Sequence, residues 1–481
     1  MTTKATETPS ELASALLKEL PGEAVMWSAY DRRLYEYDAA LETARPEVVV
    51  FPRTTEDVQT IVRLCRELKR PFTARGAGTG LSGGAIPMEG GALICFTRMN
   101  QVLEIDEANL TALVQPGVVN LHLTEAVRHL GLYFSPDPSS QRASTIGGNV
   151  GENSGGPHTL ASGVTTNHVL GLEIVLPDGD VAWLGGKAGP GQPIDLVGLV
   201  VGSEGMLGLV TKVLVRLMPA PEHAATLLAA FASVETASRS VSAVIAAGIL
   251  PAALEMMDKL ATKAIEDSVH AGYPADAGAV LLVDVEGLRE EVAESLARIV
   301  AICQEGGALM VRQAASQKER NLLWAGRKGA FGAMGRLSPN FYTMDGVVPR
   351  TKLAAVLAGV DRISAELELS VASVFHAGDG NIHPLVLFDE DCEGDLDRVH
   401  EAARRILDLC IQAGGSLTGE HGIGVEKQGM VPMQFSPADL AVMQRVKQAF
   451  DPAGVCNPGK MFPTPGQCLE LTASGSRLSG W

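Results

Sequence analysis

The residues with the most chemistry to offer stand in two short stretches late in the chain. They are His376-Ala377-Gly378-Asp379-Gly380-Asn381-Ile382-His383 and Thr418-Gly419-Glu420-His421-Gly422-Ile423-Gly424. Asp-Gly between short apolar segments signals a two-residue hairpin, because a type I′ turn needs positive φ at both central residues. With Asp379 and Gly380 in that turn, His376 is expected to face His383. Directly opposed residues on antiparallel strands share a face, with Cβ atoms about 5 Å apart. Two imidazoles so placed can close on one cation at the ~2.0–2.1 Å of zinc–nitrogen bonds. Neighbours on an extended chain point opposite ways, so Glu420 and His421 are expected to do different jobs. Glu420 joining the histidine pair makes a three-ligand site with open positions, the catalytic rather than the structural type. His421 is then free to act as a base. Two histidines and a carboxylate suit Zn²⁺, Fe²⁺ or Mn²⁺, with Zn²⁺ the first expectation.

The chain that must position these residues has 481 positions, enough for two or three domains with large cores. Acidic residues outnumber basic ones, 56 to 39, for a formal charge of −17, and no Lys/Arg-rich run occurs. Nucleic acid is therefore excluded as an expected partner, since such binding begins with phosphate neutralisation. The seven cysteines lie apart, none at C-x-x-C spacing, so neither an iron–sulfur cluster nor a zinc ribbon is supported. Dispersed thiols in an acidic chain point to a reducing, cytoplasmic setting. Met1–Leu20 has no basic segment followed by an apolar core, so no signal peptide is expected. The longest apolar stretch, Val241–Leu254, is broken by Ser242, Gly248 and Pro251 and is too short to span a bilayer. The last ~15 residues read as a disordered low-complexity tail.

The first half alternates strand and helix signals. Leu12, Leu16, Leu17 and Leu20 mark an amphipathic helix, and Val48–Phe51 a strand. Thr54-Thr55-Glu56-Asp57 opens a helix to about Arg70, and 71–75 is the next strand. Gly78, Gly80 and Gly83 then match G-x-G-x-x-G literally. A dinucleotide fingerprint also needs a helix at the third glycine and an acidic residue about 20 positions later. Ala85-Ile86-Pro87 follows instead, so the Rossmann reading is rejected. The glycines still free backbone N–H groups to converge on an anion. Further glycine clusters occupy Ser144–Gly156 and Gly202–Gly208, separated by strands over 170–176 and 180–184. Three such segments on a strand-rich scaffold suit a large ligand with a pyrophosphate.

Pro71-x-x-x-Arg75-Gly76-x-Gly78-Thr79, Ile146-Gly147-Gly148-Asn149 and Gly202-Ser203-Glu204-Gly205 resemble the FAD-binding domain of vanillyl-alcohol oxidase type flavoproteins. The resemblance implies two α/β subdomains with FAD between them and the pyrophosphate on the 76–82 loop. It places cofactor contacts at Gly76, Ala77, Gly78, Thr79, Gly80, Ser82, Pro136, Asp137, Ser144, Gly147, Gly148, Asn153, Gly205 and Val210. In the family a C-terminal segment returns to the flavin, which adds Asn457. Some members attach the flavin through a histidine in this loop. Thr79 stands at that place here, so non-covalent FAD is expected.

From about Pro221 strands and helices alternate in an Ala-rich background. Strands are expected over 226–231, 252–257, 279–285 and 341–348, and helices over 235–247, 289–304 and 353–367. The expected fold is therefore α+β. A two-subdomain FAD-binding domain (1–220) precedes an antiparallel-sheet substrate cap covered on one face (221–415), and a segment (416–481) returns to the FAD domain.

His376-x6-His383 with Glu420-His421, on top of the FAD domain, resembles the group of glycolate oxidase FAD-binding subunits and D-2-hydroxyacid dehydrogenases. Trp324-Ala325-Gly326-Arg327-Lys328 adds to that resemblance. The implied reaction is oxidation of a small D-2-hydroxy acid, glycolate or D-lactate, to the 2-oxo acid. In it the metal on His376, His383 and Glu420 binds the hydroxyl and one carboxylate oxygen, His421 takes the proton, and the hydride passes to flavin N5. Arg327 is the candidate for the substrate carboxylate, since a guanidinium fork pairs with it bidentately, and Arg336 is the reserve. Thr343 and Leu385 stand where the hydroxyglutarate members carry more polar groups, which favours a small acid.

Three alternatives remain open at this level. One is a D-2-hydroxyglutarate dehydrogenase. The second is a flavin subunit active only with electron-transfer partners. The third is a non-redox FAD enzyme of the same fold, such as an alkyl-glycerone-phosphate synthase, which has no obvious use for the His/His/Glu site.

Overall fold

The structure is a computed structural model that describes residues 8–189 and 193–463. The tail after 463, with its expected disorder, lies outside the described residues. Three large sheets and a two-stranded pair, Leu132–Tyr133 with Met218–Pro219, organise the described residues. In the first, Val48–Val50, Ala92–Cys95 and Phe72–Arg75 pair in parallel and Val25–Met26 adds antiparallel. Helix Thr55–Glu67 starts where its sequence signals, with Thr54 and Asp57 capping each other's backbone N–H groups. Its face of Val58, Ile61, Val62 and Cys65 packs on this sheet. No helix follows the glycine loop after Arg75, as Pro87 and the paired glycines dictate.

The second sheet is antiparallel throughout and joins Val102–Asp106, Thr111–Val114, Leu209–Arg216, Val169–Val175 and Val181–Gly185 in that order. Between these two sheets the Ser144–Gly156 cluster forms a short helix, Ile146–Glu152, capped by the Thr145 hydroxyl.

The third sheet is eight-stranded and antiparallel. Its centre runs His223–Phe231, Ala279–Gly287, Ala253–Asp258, Ser370–His376 and Asn381–Phe388. The expectation of one covered face is corrected: both faces are buried. Ala225, Leu227, Ala229 and Phe231 pack under helices Val234–Ala246, Arg289–Glu305 and Leu353–Glu366. Leu228 and Ala230 pack on the other side, under Lys259–Val269 and Gln317–Lys328. The reason is visible in Ala279-Val280-Leu281-Leu282-Val283, an apolar run without alternation, as a strand buried on both faces requires. Helices Lys259–Val269, Gln317–Lys328 and Asp395–Gln412 were not anticipated.

The chain returns at its end. Cys456 bridges in parallel to Phe72, and Asn457 donates its backbone N–H to the Phe72 carbonyl at 2.7 Å, which extends the first sheet. Among the described residues no helix is long and apolar enough to cross a membrane.

Candidate active site

The hairpin register differs from the expected one. His376 pairs with Asn381, and His383 pairs with Val374. Only Gly380 takes positive φ (+85°), so a four-residue loop replaces the two-residue turn. The slip is two residues. A slip of one would have moved His383 to the opposite face, whereas two preserves the alternation. Both imidazoles therefore still project from one face, with ring centroids 5.1 Å apart.

That face begins as core. Ala253, Met257, Ala372, Val374, Leu385 and Leu387 are packed beneath helices. At its end the same alternation presents Glu255, His376 and His383. Leu385 thus belongs to the core and does not face the cavity, which removes it as a clue to substrate size; Thr343, beside it, does line the cavity. Glu255 takes His376 Nδ1 at 2.8 Å, and the Met344 carbonyl takes His383 Nδ1 at 3.1 Å. Carboxylate and carbonyl oxygens accept, so each Nδ1 carries the hydrogen and each Nε2 keeps a lone pair. Both Nε2 atoms converge on Glu420 Oε1, at 3.2 and 3.3 Å. Three acceptors around one point call for a cation between them. Ligands of a tetrahedral ion with ~2.0–2.1 Å bonds stand about 3.3 Å apart. The donor set therefore fits a divalent metal. Burial alone would lower the proton affinity of His376, but Glu255 and Glu420 outweigh it and raise its pKa well above the ordinary histidine range, so a cation at Nε2 must take the place of a proton there.

Asp345 holds the loop that carries Glu420 and His421. It accepts the backbone N–H groups of Gly419 (3.0 Å), Glu420 (3.2 Å) and His421 (2.9 Å) and the Thr418 hydroxyl (2.6 Å). Burial opposes its charge, yet neighbouring His421, Lys427 and His383 keep its carboxyl well below the usual range. From the other half of the molecule, Glu204 accepts the N–H groups of Ile423 (2.7 Å) and Gly424 (2.8 Å). The His421 ring stacks on His383, 4.9 Å between centroids and 11° between planes. Its Nδ1 is buried without a hydrogen-bond partner, and burial lowers its pKa to about 4. It is neutral at neutral pH and has a lone pair to offer.

These groups form one wall of a cavity of about 550 Å³, within the usual range for ligand pockets. The opposite wall is the glycine-rich half. Gly76, Ala77, Gly78, Thr79, Gly80, Ser144, Gly147, Gly148, Gly205 and Val210 all line it. A side chain at Gly76 would sit 2.4 Å from Thr145 Oγ1, so the loop packs directly on the helix behind it.

Five expected cofactor contacts do not reach the cavity. Ser82 is fully buried, and its carbonyl takes the N–H groups of Val425 and Glu426. Pro136 is buried with its carbonyl on Asn120. Asp137 is committed to His158 and Lys328. Asn153 ends the short helix in a left-handed conformation and caps Thr166. Asn457 lies behind the wall, donating to Gly84 O (3.1 Å) and Glu204 O (2.6 Å). These residues hold the walls in place. Arg336 is exposed and also away from the cavity, because it follows the turn that ends helix Ala330–Met334. Arg327 lines the cavity and is 1% exposed. Its Nη2 stands 2.5 Å from Glu255 Oε2 at an angle outside hydrogen-bond geometry, so Nε and Nη2 keep donors to spare.

Sequence reasoning missed Glu255, Asp345, Glu204 and Lys427. Glu255 had a signal: an acid between Leu254 and Met256 in a strand must find a buried partner.

A separate network joins the two halves beside the cavity. His158 Nδ1 lies 2.9 Å from Asp137 Oδ2, its ring stacks on Trp324, and Lys328 Nζ is 3.4 Å from the same Asp137 oxygen. Burial disfavours the charged ring, but Asp137, Glu286 and Asp284 raise its pKa from 6.5 to about 9. A folded-state pKa above the unfolded one stabilises the fold below the unfolded value, and that stability is lost as pH rises through the folded value. Melting temperature is thus expected to fall between pH 6.5 and 9. In His158→Gln this part of the fall should vanish; identical profiles by scanning calorimetry would dismiss the latch.

Comparisons with known proteins agree with this arrangement. Residues 46–185 match an FAD binding domain, and residues 220–461 match the C-terminal domain of FAD linked oxidases. The chain is 46% identical over 460 residues to glycolate oxidase subunit GlcD of Escherichia coli (strain K12), covering 95% of this chain and 92% of that protein. It is 33% identical to a D-lactate dehydrogenase of Anaerostipes hadrus, covering 87% and 90%. In fold it is similar to p-cresol methylhydroxylase solved with substrate bound, with a TM-score of 0.79 at 18% identity over 94% of this chain and 96% of that one. The glycine-lined wall and the cap that closes over it are thus those of a flavoprotein, and the chain belongs to the FAD-linked oxidase family.

Proposed function

We propose that this chain oxidises a small 2-hydroxy acid, glycolate or D-lactate, to the 2-oxo acid. FAD sits against the glycine wall, and His376, His383 and Glu420 hold a divalent metal. The observation that carries the reading is the convergence of two lone-pair Nε2 atoms on Glu420 Oε1 beside a neutral His421, on the wall facing the glycine loops. The names of the relatives, a glycolate oxidase subunit and a D-lactate dehydrogenase, support the substrate class. Bound, the flavin supplies a two-electron acceptor and the cation a charge that makes a nearby hydroxyl more acidic.

The chain's own residues do the rest. Arg327 orients the substrate carboxylate through Nε and Nη2. His421 Nδ1 takes the hydroxyl proton, since a neutral buried imidazole can accept one without first losing one. Asp345 holds that ring in place by its backbone. Phe331, Phe341 and Tyr342 line the cavity near Thr343 and leave an apolar flank. Lys328, which also lines the cavity, already has an acid partner in Asp137 at 3.4 Å, which favours a substrate with a single carboxylate. In this reading residues 1–220 bind FAD, 221–415 form the cap and 416–481 complete the site. Partner subunits or an acceptor protein carry the electrons away.

An anaerobic stopped-flow panel of 2-hydroxy acids tests this. Glycolate and D-lactate are expected to bleach the flavin fastest. Fastest bleaching by 2-hydroxyglutarate would overturn the small-acid assignment. Dialysis against a chelator should abolish bleaching with FAD retained, and an undiminished rate in metal-free protein would remove the metal's role.

A further inference from the structure

Behind the candidate metal centre lies a second cavity of about 200 Å³. His376 and Glu420 line both cavities, so the centre is the partition between them. Glu420 straddles it. Its Oε1 faces the imidazoles, while Oε2 faces the backbone of Gly155 on the rear wall. A Cβ on Gly155 would lie 2.9 Å from that oxygen and 2.8 Å from Thr159 Oγ1. The missing side chain keeps a gap open between the two oxygens. Two polar atoms of the rear wall have no hydrogen-bond partner: Asn381 Oδ1, on a residue 5% exposed, and Thr159 Oγ1. Asp379 adds a carboxylate to the same wall. Buried polar atoms are ordinarily satisfied, so orphaned acceptors on a cavity wall point to something that visits it. Every one of these atoms is an oxygen, the ligand type that replaces water around a divalent cation.

When flavin and substrate fill the front cavity, the rear cavity is the side of the centre left free. We infer that the rear cavity is the port through which the divalent cation enters and leaves the centre, passed from Asp379, Asn381 and Thr159 to Glu420. This rests on the metal reading of the centre given above. The port explains how the centre can be loaded while the front cavity is filled.

Zinc uptake by metal-depleted, FAD-loaded protein tests the port. Samples are separated from free Zn²⁺ by rapid gel filtration at intervals, and bound zinc is counted by atomic emission. Thr159→Leu fills the gap, and Asp379→Asn removes the outer charge. Each is expected to slow uptake about tenfold, the effect of ~1.4 kcal/mol on a barrier, with unchanged final zinc content. Val164→Phe narrows the same cavity and serves if Thr159→Leu fails to retain FAD. Wild-type rates in the variants would overturn the port. A wild type that binds no zinc even at equilibrium would instead overturn the metal centre.

Discussion

Replacing His421 with asparagine is expected to slow flavin reduction by a 2-hydroxy acid about 10²–10⁴-fold, the usual contribution of a positioned general base. FAD should remain bound, because the loop is anchored by backbone N–H groups on Asp345 and Glu204 that the substitution leaves alone. The asparagine keeps a polar group of similar reach but cannot take a proton. Affinity for the acid should change little, since the proposed carboxylate partner is Arg327. Anaerobic single-turnover kinetics at several acid concentrations separates the two parameters. A loss of less than tenfold would place the base elsewhere, and a loss confined to affinity would make His421 a binding residue.

Glu255→Ala is expected to be the most destabilising single change in the site. Arg327 is 1% exposed and Glu255 is 0% exposed, with 2.5 Å between Nη2 and Oε2. Removing one partner of a buried ion pair leaves an uncompensated charge and typically costs about 3–5 kcal/mol. The substitution also frees His376 Nδ1 and with it the orientation of Nε2. Replacing both partners by leucine removes the stranded charge, so the double variant should recover most of the stability and none of the activity. Urea unfolding of Glu255→Ala, Arg327→Leu and the double leucine variant measures this directly. A single variant within about 1 kcal/mol of wild type would mean that Arg327 finds another buried acceptor.

The sequence showed much of this. Helix Thr55–Glu67 was readable to its cap because Thr54 and Asp57 are local signals. The glycine loop was separable from a dinucleotide fold because Pro87 sits where a helix would have to run. His376 and His383 were placed on one face by alternation, which a two-residue error in register could not disturb. What was not legible is long-range. Glu255 meets His376 across 121 positions, and Asp345 meets Glu420 across 75. No periodicity encodes those pairings. Asn457 and Ser82 read as ligand contacts because they stand beside cavity-lining residues, yet both are turned into the wall. A motif fixes which backbone bends around a ligand, but side-chain direction is set by what packs behind it. The second covered face was not legible for a related reason: a run such as 279–283 marks a strand but does not say what its second face will meet.

The clasp of Glu204 on Ile423 and Gly424 spans 219 and 220 positions. It has a consequence for how the protein comes into being on the ribosome. At the usual ~5–20 residues per second, the 420s leave the exit tunnel roughly 10–40 s after Glu204. The glycine wall can gather during that interval, but the proposed base, His421, and the proposed third metal ligand, Glu420, do not yet exist as part of a fold. A nascent chain that has already captured FAD therefore carries a flavin with no means of reducing it from a hydroxy acid. Reactivity is the last property acquired, and a polypeptide cut short before Glu420 is inert by construction.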